Sequence, residues 1–175
     1  LEGDDYWLSN KIESIYNYIK KDNEKHSLYF HKYDVIKDGI INKRLYSYNT
    51  NKEITIEECI KNYQVQNLSC CMYDAKVLKS VTELFLYSPG VDYSLNILCL
   101  EQKPALFIND TCSVYRISRQ GSWGAVPVDI QVVQNILRRL QLNYFFNKKY
   151  DNIFADSINS ATNNLLNEFS NLKIY

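Results

Sequence analysis

Three residues near the middle of the chain carry side chains that could do chemistry together: Asp92, Glu101 and Lys103. Two carboxylates and a lysine at the edges of adjoining strands can hold Mg²⁺ or Mn²⁺ and place an attacking water beside a phosphate. Pro89-Gly90-Val91-Asp92 precedes Leu100-Glu101-Gln102-Lys103, with eight residues between the two acids, at the end of an apolar run. Read as a strand, that run sets Glu101 and Lys103 on one face with Cys99 and Ile97. Glu83, on the preceding helix, could add a third carboxylate. The plainer reading, which we prefer, is a strand end whose charges face water.

A second group lies between residues 112 and 149. Arg116, Arg119, Arg138, Arg139, Lys148 and Lys149 face a single acid, Asp129, so this segment carries +5 while the rest of the chain carries −5. Tyr115, Trp123, Tyr144, Phe145 and Phe146 are interleaved. Guanidinium planes among aromatic faces suit a protein hot spot, a phosphorylated partner or single-stranded nucleic acid. On a helix over 130–146 the two arginines fall away from the apolar face and are expected in solvent. The bland alternative is a solvated helix face, with Lys148 and Lys149 answering the dipole of the helix end.

The order Asp92, Glu101, Lys103 resembles the signature of PD-(D/E)xK nucleases, over residues 83–103 only. That resemblance implies metal-dependent cleavage of nucleic acid with Mg or Mn as cofactor, and it supplies the alternative function.

Other signals point to less. His26 and His31 have no third ligand nearby, and the five cysteines form no CxxC pair. An odd cysteine count fits neither a disulfide framework nor a tetrahedral zinc site. It reads as buried small hydrophobes in a reducing compartment. Gly121-Ser122-Trp123-Gly124 lacks the spacing of a nucleophile elbow, and neither a phosphate-binding loop nor a dinucleotide fingerprint is present.

The elements that must position these residues follow from periodicity and turn chemistry. Residues 5–22 predict a helix with Leu8, Ile12, Ile15, Tyr16 and Ile19 on one side. Strands over 27–36 and 40–48 are joined at Lys37-Asp38-Gly39, a hairpin signal. A helix over 55–65, a brief strand over 67–72 and a helix over 74–87 come next, the last ended by Ser88-Pro89-Gly90. Three strands follow, 93–102, 105–109 and 112–118, punctuated by Pro104 and Asn109-Asp110. Residues 119–128 read as a loop. The helix over 130–146 carries an apolar face of Ile130, Val133, Ile136, Leu137, Leu140 and Tyr144, expected inward. A last helix over 151–172 bears Phe154, Ile158, Ala161, Leu165, Phe169 and Leu172.

The fold expected is α+β, one domain over residues 1–175: a mainly antiparallel sheet, built from a hairpin and a three-strand meander, with the N- and C-terminal helices covering one face. Twenty basic and twenty acidic residues cancel, which argues against coating nucleic acid by bulk charge. Apolar residues make up 46% of the chain, too many for disorder, and no apolar stretch is long enough to span a membrane. Asn (19), Ile (17), Tyr (15) and Lys (15) share A/T-rich codons and point to the genome of a virus, a parasite or an AT-rich bacterium. The chain opens Leu1-Glu2-Gly3 without an initiator Met, and we expect it to be cut from a larger polypeptide.

The function expected is a non-catalytic, intracellular interaction or assembly module without cofactor. Its partner is another protein or the rest of the parent chain, with nucleic acid second and no membrane. The contact face is centred on Trp123, Arg138 and Arg139.

Overall fold

The computed structural model describes residues 5–44, 46, 48–62, 67–80, 91–117 and 125–171. Among them are strands β1 (Tyr6–Trp7), β2 (Leu28–Lys37), β3 (Ile40–Asn42), β4 (Lys52–Ile54), β5 (Cys71–Tyr73) and β6 (Ala105–Ile117). The helices are α1 (Lys11–Asp22), α2 (Ile56–Asn62), α3 (Ala75–Leu78), α4 (Val91–Gln102), α5 (Val128–Phe145) and α6 (Asp151–Asn171). The chain is mixed α+β, with a six-stranded sheet whose pairings are antiparallel in four cases of five.

The exception forms the axis of the sheet. β2 and β6 run parallel, from Leu28 beside Ala105 to Lys37 beside Ile117. Short strands flank this pair: β4 and β1 on the outer edge of β6, β5 and β3 on the outer edge of β2. Parallel neighbours need a long crossover, and the chain between them supplies α2, α3 and α4.

The expected three-strand meander is therefore corrected at two points. Residues 93–102 lie in helix α4, not in a strand. Tyr93, Leu95, Ile97 and Cys99 alternate as a strand would, but Ser94, Asn96 and Leu100 are buried as well. A helix enclosed on most sides loses its periodicity, so an apolar run of this length reads either way. Asn96 is satisfied inside by the Tyr73 hydroxyl, which donates to its Oδ1 at 2.7 Å. Pro104 then stops the helix, and the Ser27 hydroxyl donates to the Cys99 carbonyl at 2.6 Å near its end.

The second correction is Asn109-Asp110, read as a turn between two strands. β6 passes through it without turning. The register steps from His31–Ile108 to Lys32–Thr111 and then Tyr33–Ser113, so β6 holds three residues more than β2 over the paired length. The turn-prone dipeptide is absorbed as a bulge. It is held there by the Asn109 N–H, which donates to Asn51 Oδ1 at 2.9 Å, and by Ser14 Oγ, which donates to Asp110 at 2.7 Å.

The β2–β3 hairpin stands as expected. Asp38 (φ 51°) and Gly39 (φ 79°) both take left-handed backbone between Lys37 and Ile40, the geometry of a two-residue primed turn. β3 is shorter than the expected 40–48, because a side chain takes over the edge. The Tyr33 N–H donates to the Tyr46 hydroxyl at 2.7 Å, and that hydroxyl donates back to the Tyr33 carbonyl at 3.0 Å.

The core lies on both sides of the sheet. One face carries Leu28, Phe30, Ala105 and Phe107 against Ile60 of α2, Ile97 of α4, Leu142 of α5 and Phe154 of α6. The other carries Tyr29 and Ile108 against Ile15 of α1. Residues 28–30 alternate between the two clusters, as a pleated strand requires. The terminal helices therefore sit on opposite faces, which corrects the single covered face expected from sequence.

Candidate interaction surface on helix α5

The three residues of the nuclease-like set are not brought together. Asp92 lies in the first turn of α4, where its Oδ1 accepts from the Tyr93 N–H at 2.8 Å. Glu101 lies in the last turn, nine residues on, a rise of about 13.5 Å along the axis. Carboxylate–metal bonds of roughly 2 Å cannot bridge that separation. Glu101 is instead engaged by Lys149, at 2.9 Å, and by the Tyr150 hydroxyl. Lys103 turns elsewhere and donates to the Glu24 carbonyl at 2.6 Å. Glu83 lies outside the described residues.

The basic segment is dispersed as well. Arg119 and Trp123 lie outside the described residues. Arg116 is exposed at the end of β6, with its N–H donating to Asp5 Oδ1 at 3.0 Å. Lys148 is exposed, and Lys149 is held by Glu101, whose hydrogen bond raises the lysine above its usual range. The two arginines expected in solvent point into the protein, a correction that inverts helix α5. Arg138 is 5% exposed and donates from Nη1 to Asn135 Oδ1 at 2.8 Å. Arg139 donates from Nε to Ser157 Oγ of α6 at 2.9 Å, and its guanidinium lies 5.0 Å from the Tyr93 ring centroid of α4. Ser157 in turn donates to the Ile60 carbonyl at 3.0 Å, which ties α5, α6 and α2 together.

The reason lies in the spacing along α5. Gln131, Asn135, Arg138, Leu142 and Phe146 recur every three or four residues and form the seam that faces the body. Its upper half is polar and bonded, and its lower half is apolar, with Leu142 fully buried. At 100° per residue, Ile130, Val133, Leu137, Leu140 and Tyr144 fall within an arc of about 80° on the opposite side. All five are exposed, Leu137 to 52% and Tyr144 to 81%. Only one seam of a helix can face the protein, and here the arginine network and Leu142 hold that position.

The helix has defined ends. Pro127 precedes it, Asp129 suits the positive end of its dipole, and the Gln131 amide donates to the Val126 carbonyl at 2.9 Å. Asn147 (φ 49°) and Lys148 (φ 61°) make the left-handed corner into α6. Asn143 Nδ2 pins that corner to Asp151 at 2.6 Å.

Two polar clusters elsewhere were not foreseen. Lys11, 1% exposed, donates to the Ser69 carbonyl and lies 4.1 Å from the Trp7 ring centroid. Burial lowers its ammonium below the usual range, against the nearby thiols of Cys70, Cys71 and Cys112. His31, also fully buried, bonds through Nδ1 to the Lys32 carbonyl at 2.8 Å, while its Nε2 has no hydrogen-bond partner among the described residues. Burial pulls this imidazole down to about 4. His26 stands apart from it, between Asp22 (2.5 Å) and Glu53 (3.2 Å), and fastens the end of α1 to β4.

No sequence pattern marks a lysine such as Lys11 for burial. The five cysteines, expected to be buried, are all buried, and none is in a disulfide among the described residues. Burial pushes the Cys99 thiol up to about 12, and Cys70 and Cys112 upward as well.

Among the described residues no helix is long and apolar enough to cross a membrane. No protein-family model matches this chain, and no curated protein sequence is similar to it.

Proposed function

We propose that this chain is a non-catalytic interaction module that docks a protein partner through the apolar stripe of α5. The observation that carries the reading is the outward placement of Ile130, Val133, Leu137, Leu140 and Tyr144 on a helix whose opposite seam is already engaged. Contiguous exposed apolar surface of this kind marks association sites. The contact face stays within the 116–149 segment expected from sequence. Its working groups become aliphatic and aromatic, while Arg138 and Arg139 hold the helix in place. An intracellular setting agrees with five buried cysteines that form no disulfide among the described residues.

The test is capture of the partner protein by the immobilised chain, compared with the double variant Leu137→Glu, Leu140→Glu. Because both side chains face solvent, the variant should keep the far-UV circular dichroism and melting temperature of the parent. Capture should be lost. A correctly folded double variant that still captures every partner overturns the reading.

A further inference from the structure

We propose that the occupant of the α5 stripe is a second copy of this chain, joined by α5 packing against α5 about a two-fold axis. This rests on the reading of the stripe as a docking surface and names its partner.

The spacing is the first argument. Residues 130, 133, 137, 140 and 144 follow a 3-4-3-4 rhythm, two apolar positions per heptad, which is the narrow seam of a helix pair rather than the broader stripe of a helix packed on a sheet. Such a seam accepts another helix of the same rhythm, and α5 itself has one.

Charge is the second argument. The residues bordering the seam are Gln134 and Gln141 on one side and Asp129, Ile136 and Asn143 on the other, so its single border charge is Asp129 at the helix start. The arginines at 138 and 139 are committed to Asn135, Ser157 and Tyr93 on the inner side. With the two helices antiparallel the two Asp129 carboxylates lie at opposite ends of the seam, so a second copy meets no like charge across the axis. In an isologous pair each copy offers the other the same patch, so a neutral self-complementary stripe suffices.

Area is the third argument. The five stripe residues together expose on the order of 500 Å² per copy, so a pair would bury at most roughly 1,000 Å² from them. That is the lower size of a specific interface, before Gln134, Ile136 and Gln141 add to it.

The experiment is sedimentation velocity of the whole chain over a concentration series from about 1 to 500 μM, repeated with Leu137→Glu and with the milder Leu140→Ser. Circular dichroism on each variant checks the fold, and the milder variant keeps the test valid if the glutamate perturbs it. The proposal expects a dimer that dissociates on dilution, with Leu137→Glu monomeric throughout and Leu140→Ser weakened at least tenfold. A parent chain that stays monomeric across the series overturns the proposal, as does a dimer that both folded variants preserve. In either case the docking reading survives if Leu137→Glu, Leu140→Glu loses capture of a different protein, and it falls with the proposal if capture is unchanged.

Discussion

Helices α4 and α5 touch through Tyr93 and Arg139, and they spend their apolar residues in opposite ways. α4 is enclosed, so Tyr93, Leu95, Ile97, Cys99 and Leu100 and even Ser94 and Asn96 are inside, and its only acids stand in its first and last turns. α5 is strongly two-sided, yet its apolar stripe looks outward while an arginine and an asparagine help seat it. An apolar pattern identifies a face that wants cover and leaves open what provides the cover. For α4 the sheet and α2 provide it. For α5 the protein body takes the other seam, and the stripe is left for association.

The comparison can be broken first at α4. Ile97→Ala empties a fully buried site and should cost about 2–5 kcal/mol in urea-induced unfolding. A cost below about 0.5 kcal/mol, the scale of a surface change, would mean that α4 is not enclosed as described.

The buried polar groups on the α1 face of the sheet provide the next test. His31 is held neutral, with burial pulling it to about 4, the Lys11 charge adding to the shift and the Lys32 carbonyl and Asp110 opposing it. An unfolded histidine titrates near 6.5. Between those values the unfolded chain binds a proton that the folded chain refuses, so stability falls as pH drops from 6.5 towards 4 and levels off below. The loss amounts to about 3 kcal/mol. His31→Phe should flatten that slope in melts taken at pH 7 and pH 4.5, and an unchanged slope would assign it elsewhere. Asp22 acts in a separate, more acidic window. Burial would raise it, but hydrogen bonds from Tyr29 and His26 hold it below its ordinary value, so its contribution is lost only as pH falls below about 4.

The smallest effect sharpens the account of why α5 sits as it does. Arg139→Ala removes the bond to Ser157 and the cation–π contact with Tyr93, and should cost about 1–2 kcal/mol in the same melts. A neutral result would show that the contacts of Arg139 do not orient the helix.

The legible parts of the sequence were those fixed by local chemistry. Asp38-Gly39 specifies its own turn, Pro104 ends α4 wherever α4 lies, and Asn147-Lys148 separate two helices whose spacing is plain. The misread parts were decided by tertiary context. Tyr93–Gln102 carries both a two-residue alternation and enough apolar positions for a buried helix, and only enclosure distinguishes them. Asn109-Asp110 is turn chemistry that a bulge can absorb when β2 supplies a straight neighbour. At the candidate site, the stripe residues from Ile130 to Tyr144 were visible, but their direction was not. Burial of Arg138 depends on Asn135 beside it, and seating of Arg139 on Ser157 and Tyr93, which come from distant stretches of chain.

The most direct measurement is thiol labelling of two single variants, Leu137→Cys and Leu142→Cys, at concentrations low enough to keep the chain monomeric. The native cysteines are all buried and give a low background. The account predicts that the thiol at 137 reacts near the rate of a free cysteine while the one at 142 is protected until the protein unfolds. Protection at 137 together with rapid reaction at 142 would contradict it, because α5 would then bury its apolar stripe and turn its arginines outward.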